Sequence, residues 1–367
     1  MSATQAVVDL DDVEGLLAAD RDGLLRSASM AGAQVRATAA ALAEGDLEAL
    51  KSDQPPRTVI WVAGRGNAET AGTMLSATLG GSVAAPIVVA SEAPPWIGAL
   101  DVLILASDDP GDPALVEAAA TGVRRGARVV VVAPYEGPLR DATAGRSVSL
   151  PPRLWVRDDF SLARYLAAGL AVLQVVDRGL RVDLTELADE LDAEAFRNSA
   201  GRELFTNPAK TLAERMSGHD VVLAGDNAAT LALARHGAAV LLRVAHQTVA
   251  AVGLADALVA LRGGISRGSG ADHEASIFHD EQIDGPRPAQ VRTFVLATDA
   301  ERAVVLARVD GLDGVDVINA EDVPEAMDAT DAPQVAAAPA TGRPEQQLAT
   351  LAVRLEMTAT YLRLVRG

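Results

Sequence analysis

No cysteine occurs among the 367 residues. That absence excludes disulfides, zinc–thiolate sites, iron–sulfur clusters and cysteine nucleophiles together. Aromatic residues make up only 3%, so Ala, Val and Leu must build the core. Lysine is almost missing: of 32 basic residues only Lys51 and Lys210 are lysines. So many arginines beside Ala, Val, Asp and Gly mark a biased coding composition, and a single arginine therefore says little. The net charge is −18, without a local basic patch, which argues against nucleic acid or an anionic membrane as partner. No 18-residue apolar run is present; the longest candidate, Leu166 to Val176, lies between Arg164 and Asp177 and reads as a core helix. The opening MSATQAVVDLDDVEGLL has neither a basic nor an apolar leader segment, and the expectation is a cytoplasmic protein.

What is present suits a folded chain of two domains, with 49% hydrophobic and 22% charged residues. Helical spacing runs through Leu10, Val13, Leu16, Leu17, Leu24, Leu25, Val35, Ala39 and Leu42 and stops at Gln54-Pro55-Pro56. Strand patterns follow at Val59 to Val62, Ala85 to Val89, Asp101 to Ala106 and Ala127 to Val132, with helices between them and a closing helix from Ser161 to Val176. Strands that are apolar throughout, separated by helices, predict a parallel sheet covered on both faces. The scheme restarts after Asp177-Arg178-Gly179. Helices are expected at Leu184 to Leu191, Pro208 to Met216 and Ala228 to Val240, and strands at Val221 to Gly225, Val291 to Thr298 and Val315 to Asn319. A loop rich in Ala, Pro and Thr (Glu325 to Gln346) precedes a last helix from about Glu345 to Leu364. The fold class is thus α/β with two doubly wound domains, 1–179 and 180–367.

Two loops follow strands and open helices. Gly64-Arg65-Gly66-Asn67-Ala68-Glu69 can present backbone N–H groups to an anion. It fails the dinucleotide fingerprint because Glu69 stands at the third glycine position, and a plain tight turn without ligand explains it equally well. No cofactor is expected. The second loop, Ala106-Ser107-Asp108-Asp109-Pro110-Gly111-Asp112-Pro113, carries three aspartates that repel phosphate and suit a helix N-terminus as ordinary caps.

Taken with Ala93-Pro94-Pro95-Trp96, Arg125-Gly126-Ala127-Arg128, Leu150-Pro151 before Arg157, and Asn207-Pro208-Ala209-Lys210, these loops resemble the bifunctional phosphoglucose/phosphomannose isomerases. That family is built from two sugar-isomerase (SIS) domains, and the similarity covers almost the whole chain. The resemblance implies a carbohydrate derivative such as a sugar phosphate as ligand, a homodimer, and phosphate held by hydroxyls in both loops. Here Gly66-Asn67-Ala68 stands where the family has Gly-Gly-Ser. Asp108, Pro110 and Pro113 occupy the hydroxyl positions of its Ser-x-Ser-Gly-x-Thr loop. Gly64, Arg65, Gly66, Asn67, Ser107 and Gly111 remain as the candidate binding residues.

The resemblance also implies an arginine for the enediolate, a glutamate for proton transfer and a histidine for ring opening. Arg157 matches the arginine, and His279, in Phe278-His279-Asp280-Glu281, matches the histidine. The glutamate position falls on Leu242, which cannot move a proton, and the family's C-terminal lysine has no counterpart. Glu281 is then the candidate replacement base. Between Leu242 and His279 the chain is longer than the family by roughly 20 residues, judged from motif spacing. Arg157 reads equally well as an ion-pair partner of Asp158 or Asp159, and His279 as a loop histidine beside carboxylates. The group His273-Glu274 with His279-Asp280-Glu281 fits no common metal template, while His236 and His246 sit in apolar surroundings. Two readings stay open: a SIS-fold isomerase relative with an eroded or rearranged site, and a non-catalytic regulatory or partner-binding SIS protein. Leu231–Val240 and Leu254–Leu261 are the expected dimer helices.

Overall fold

The computed structural model describes residues 8–265, 290–321 and 343–366. The chain forms two units, Gly23–Phe196 (the first unit) and Met1–Asp22 with Arg197–Gly367 (the second). Both are α/β with an all-parallel sheet, as the sequence predicts.

The boundaries differ from a single break near residue 179. Helix α1 (Val13–Ala19) belongs with the second unit, where Asp11 accepts a hydrogen bond from the Leu204 N–H at 2.8 Å. Within the first unit come α2 (Leu24–Ala28) and α3 (Ala31–Ala43), and α8 (Leu184–Arg197) stays with them. Arg36 on α3 pairs with Asp189 at 2.6 Å and with Asp192. A Cβ on Gly32 would lie 2.6 Å from the Ala188 carbonyl, so α3 and α8 touch backbone to backbone. Charge pairing and close helix packing keep the chain in the first unit past Gly179.

In the first unit β1 (Val59–Ala63), β2 (Ile87–Ala90), β3 (Val102–Ala106), β4 (Arg128–Val132) and β5 (Ser147–Ser149) pair in the order β2-β1-β3-β4-β5. Val59 stands opposite both Ile87 and Val102, and Val102 opposite Arg128. The central strands VIWVA and VLILA are buried at every position, because α4 (Asn67–Leu79), α5 (Pro113–Arg125), α6 (Gly137–Thr143) and α7 (Leu162–Val176) cover the faces. Trp61 is 1% exposed and donates its indole N–H to the Ala68 carbonyl at 2.9 Å. Gly72 and Gly169 make room for it, since a Cβ at either would come within 2.4 Å or 3.0 Å of the ring. Strand β5, Ser-Val-Ser, is a short edge strand with no apolar run to announce it.

The second unit holds α9 (Pro208–Met216), β6 (Asp220–Gly225), α10 (Ala228–Ala245), β7 (Val249–Gly253), α11 (Leu254–Arg262), β8 (Val291–Leu296), α12 (Asp299–Val309), β9 (Val315–Ile318) and α13 (Pro344–Arg366). Its strand order is β7-β6-β8-β9. Helix α13 packs on α9 and α10 and is buried along nearly its whole length. Its charges are satisfied inside: Arg354 donates to the Asn319 and Ala320 carbonyls, both at 2.8 Å, and Glu356 meets His236 at 3.0 Å. By length and composition α10 could span a membrane, but 61% of it is buried. Its apolar stripe, Leu231–Val240 included, packs on α13 and the sheet. That stripe is therefore not a free face for a dimer, and Leu254, Leu258 and Leu261 of α11 are likewise buried.

Candidate functional site

In the first unit the strand order reverses between β1 and β3, the place where doubly wound sheets hold ligands beyond their carboxyl ends. The Gly64 N–H donates to the Ala106 carbonyl at 3.2 Å, so the two glycine-bearing loops start side by side. A Cβ on Gly64 would sit 3.3 Å from the Ser107 hydroxyl and from Asp112; glycine keeps that space open. Gly66, with φ 75 and ψ −133, adopts a conformation reserved for glycine and turns the chain into α4. The first turn of α4 has no side-chain cap. A cleft of about 880 Å³ lies over these loops, and Gly64, Arg65, Glu69, Ser107, Asp108, Asp109 and Asp112 line it.

Three of the sequence candidates thus come together: Gly64, Arg65 and Ser107. Gly66 shapes the loop from beneath. Asn67 does something else. It is buried, and its amide nitrogen donates to the Asp158 and Asp159 carbonyls at 2.7 Å and 3.3 Å and to the Ser161 hydroxyl at 3.1 Å, so it braces a turn instead of offering that donor to a ligand. Gly111 spends its N–H on Asp109 at 2.7 Å. Asp112 caps α5 through the Ala114 N–H at 2.9 Å, with Pro113 in the first turn. The capping reading of the second loop holds for Asp112; Asp109 instead closes a turn within the loop.

Asp108 departs from it. Its carboxylate accepts from Arg164 at 2.5 Å and from the Tyr165 hydroxyl at 2.6 Å, and Ser161 Oγ lies 3.4 Å away. The Arg164 guanidinium also stacks over the Tyr165 ring at 4.1 Å. Burial pushes the Tyr165 hydroxyl well above its ordinary pKa, so it stays a donor. Arg164 is 12% exposed and Asp108 32%. Neither Arg164 nor Tyr165 was visible as a site residue in sequence, because Arg-Tyr on an apolar helix carries no motif. Arg164 is thus the counter-ion of Asp108.

Arg157 begins the short turn Asp158–Phe160, and its guanidinium pairs with Asp159 at 3.3 Å. The ion-pair alternative is the geometry found, and Arg157 is not among the residues lining the cleft. His279 and Glu281 lie outside the described residues. Leu242 is exposed on α10, and His246 terminates that helix in the left-handed region. Among the described residues no group of three or more potential metal ligands occurs.

The corresponding crevice of the second unit, between β6 and β8, is bridged. Asn227 caps α10 by accepting from the Ala229 and Thr230 N–H groups at 2.8 Å and 2.9 Å, and its side-chain nitrogen donates to Glu301 on α12. Thr298 Oγ reaches the same Glu301 oxygen at 3.2 Å. Burial raises the Glu301 pKa, and Asp226 adds to the effect. Asp226 itself pairs with Arg308 at 2.5 Å.

No family model and no curated protein matches this chain. Solved structures do, at low identity and over nearly the whole length. Tagatose-6-phosphate ketose/aldose isomerase from Escherichia coli is 13% identical with a TM-score of 0.60, covering 100% of this chain and 95% of that one. The C-terminal domain of glucosamine-fructose-6-phosphate aminotransferase from Francisella tularensis is 10% identical with a TM-score of 0.57, covering 96% of each chain. Glucosamine-6-phosphate deaminase from Thermotoga maritima is 12% identical with a TM-score of 0.57, covering 94% and 95%. The fold is that of the SIS-domain phosphosugar isomerases. Fold alone does not carry activity.

Proposed function

We propose that this chain is a SIS-fold protein that binds a carbohydrate derivative at the β1/β3 crevice of its first unit and lacks the aldose–ketose isomerisation of the phosphoglucose/phosphomannose isomerases it resembles. The observation that carries this reading is the Asp108–Arg164–Tyr165 contact. A phosphate dianion needs donors and unspent positive charge. At the position where the family has a hydroxyl, a carboxylate stands and already neutralises the nearest arginine. The remaining cleft sets Arg65 against Glu69, Asp109 and Asp112. Ser107, Arg65 and the uncapped first turn of α4 are left as donors, while the carboxylates are acceptors suited to sugar hydroxyls. Leu242 supplies no base at the glutamate position, and loss of a positioned base removes about 10²–10⁴ in rate.

The test is a thermal-shift panel of glucose, mannose and their 6-phosphates with fructose 6-phosphate, run beside a coupled assay for glucose 6-phosphate to fructose 6-phosphate conversion. Stabilisation by members of the sugar panel without turnover is the expected result. Family-like turnover, or no stabilisation by any sugar, overturns the reading. The resemblance also carries a homodimer, which light scattering at micromolar concentration checks.

A further inference from the structure

We infer that the groove beside Asp108 is a pyranose subsite for an uncharged sugar, with Trp155 as its stacking face. The inference rests on the carbohydrate reading above and adds the charge and the orientation of the ligand. The groove, of about 320 Å³, is lined by the apolar Pro134, Leu154 and Trp155 together with the polar Asp108, Ser161 and Arg164. That volume is at the lower end of the ~300–1,000 Å³ of small-molecule sites, suited to a single ring.

Trp155 is 82% exposed, in a protein whose Trp61 is 1% exposed. An indole held in water beside a polar floor matches the two-sided chemistry of a pyranose. The sugar's C–H face is apolar and covers the ring, while its rim of hydroxyls needs acceptors. Asp108 is the acceptor. It lines both the groove and the larger cleft. Arg164 and Tyr165 hold one of its oxygens, and among the described residues the other has only the 3.4 Å approach of Ser161, so acceptor capacity remains. The cations fix the ligand's charge. Arg164 pairs in charge with Asp108 at 2.5 Å, while its buried Nη1 has no partner among the described residues and stays a donor; Arg153, at the groove wall, pairs with Glu44 and Asp46, both at 2.7 Å. With both arginines of the groove matched to carboxylates, an uncharged ring is favoured over a phosphorylated one.

The experiment titrates the full chain with the methyl α-D-pyranosides of glucose, mannose and galactose, and separately with glucose 6-phosphate. Tryptophan emission is read for the wild type, and affinity by calorimetry for Trp155→Ala, Trp155→Tyr and Trp96→Phe. At least one methyl pyranoside is expected to change the emission. Its affinity should fall about tenfold in Trp155→Ala, recover in Trp155→Tyr and stay unchanged in Trp96→Phe. Equal affinity in wild type and Trp155→Ala overturns the subsite. Binding of glucose 6-phosphate with no methyl pyranoside binding overturns the subsite while the carbohydrate reading stands. Failure of both kinds of sugar to bind overturns the two together.

Discussion

The two sheets meet their helices in the same way, yet one crevice is open and the other is stitched shut. After β1 the chain reads Gly64-Arg65-Gly66, whose small residues leave space, and the acidic loop across from it turns its carboxylates to its own backbone and to Arg164. After β6 it reads Gly225-Asp226-Asn227, and Asn227 reaches across to Glu301 while Asp226 pairs with Arg308. Even the glycines differ in purpose. A Cβ on Gly64 would approach side-chain atoms at 3.3 Å, whereas one on Gly225 would lie 2.3 Å from the Thr230 and Leu231 backbone. The comparison teaches that strand order offers a binding place, and the few residues after the central strand decide between a ligand and a brace.

The largest effect should come from testing those glycines. Gly225→Ala forces α10 away from its strand and should cost about 3 kcal/mol, near the top of ordinary overpacking losses. Gly64→Ala should cost below about 1 kcal/mol, because only side chains must move. Urea denaturation of the two variants measures the contrast, and equal losses would break it.

Next comes Asp108→Asn, which leaves Arg164 without its counter-charge. A loss of about 2 kcal/mol is expected, in the range for a hydrogen bond to a charged group. Tyr165→Phe removes one donor to the same carboxylate but keeps the arginine pair, and should cost about 1.5 kcal/mol, the low end of that range, in the same experiment. If Tyr165→Phe costs as much as Asp108→Asn, the arginine pairing is not the main contribution.

The smallest effect is a pH slope in the second crevice. Because burial raises the Glu301 pKa, the folded chain keeps that proton in a window where the unfolded chain has lost it. Stability then falls as pH rises from the ordinary carboxylate value through the raised one. Glu301→Gln should remove that part of the slope, leaving the variant matched to wild type in acid and relatively more stable above the window. Denaturation from about pH 4 to about pH 8 reads it, and parallel curves for the two proteins would contradict it.

Much of this architecture is legible in residue order. Val59–Ala63 and Val102–Ala106 are continuous apolar runs, so a buried parallel sheet follows from them. Ser147–Ser149 and Val249–Gly253 are not. The first is polar on both sides of one valine, and the second is a short half-buried strand, Val-Ala-Ala-Val-Gly. Helix α12 escaped because its apolar residues do not trace a buried face: Val304 and Leu306 are exposed, and only Val305 and Val309 are buried. The unit boundary was hidden since Arg36 with Asp189 and Asp192 is a pairing across more than a hundred residues. At the site the glycine loops announced themselves, and the capping role of Asp112 could be read from its place before Pro113. The Asp108–Arg164 pair could not, because nothing local links a loop aspartate to an arginine on a later helix.

The account turns most directly on which crevice a sugar protects. Amide hydrogen exchange on the intact chain, with and without a saturating sugar from the thermal-shift panel, measures this by peptide. Slowed exchange at 63–69, 106–112 and 152–158, with 224–231 and 297–302 unchanged, is the predicted result. Protection at 224–231 or 297–302, or none at the first unit's loops under saturating sugar, would contradict it.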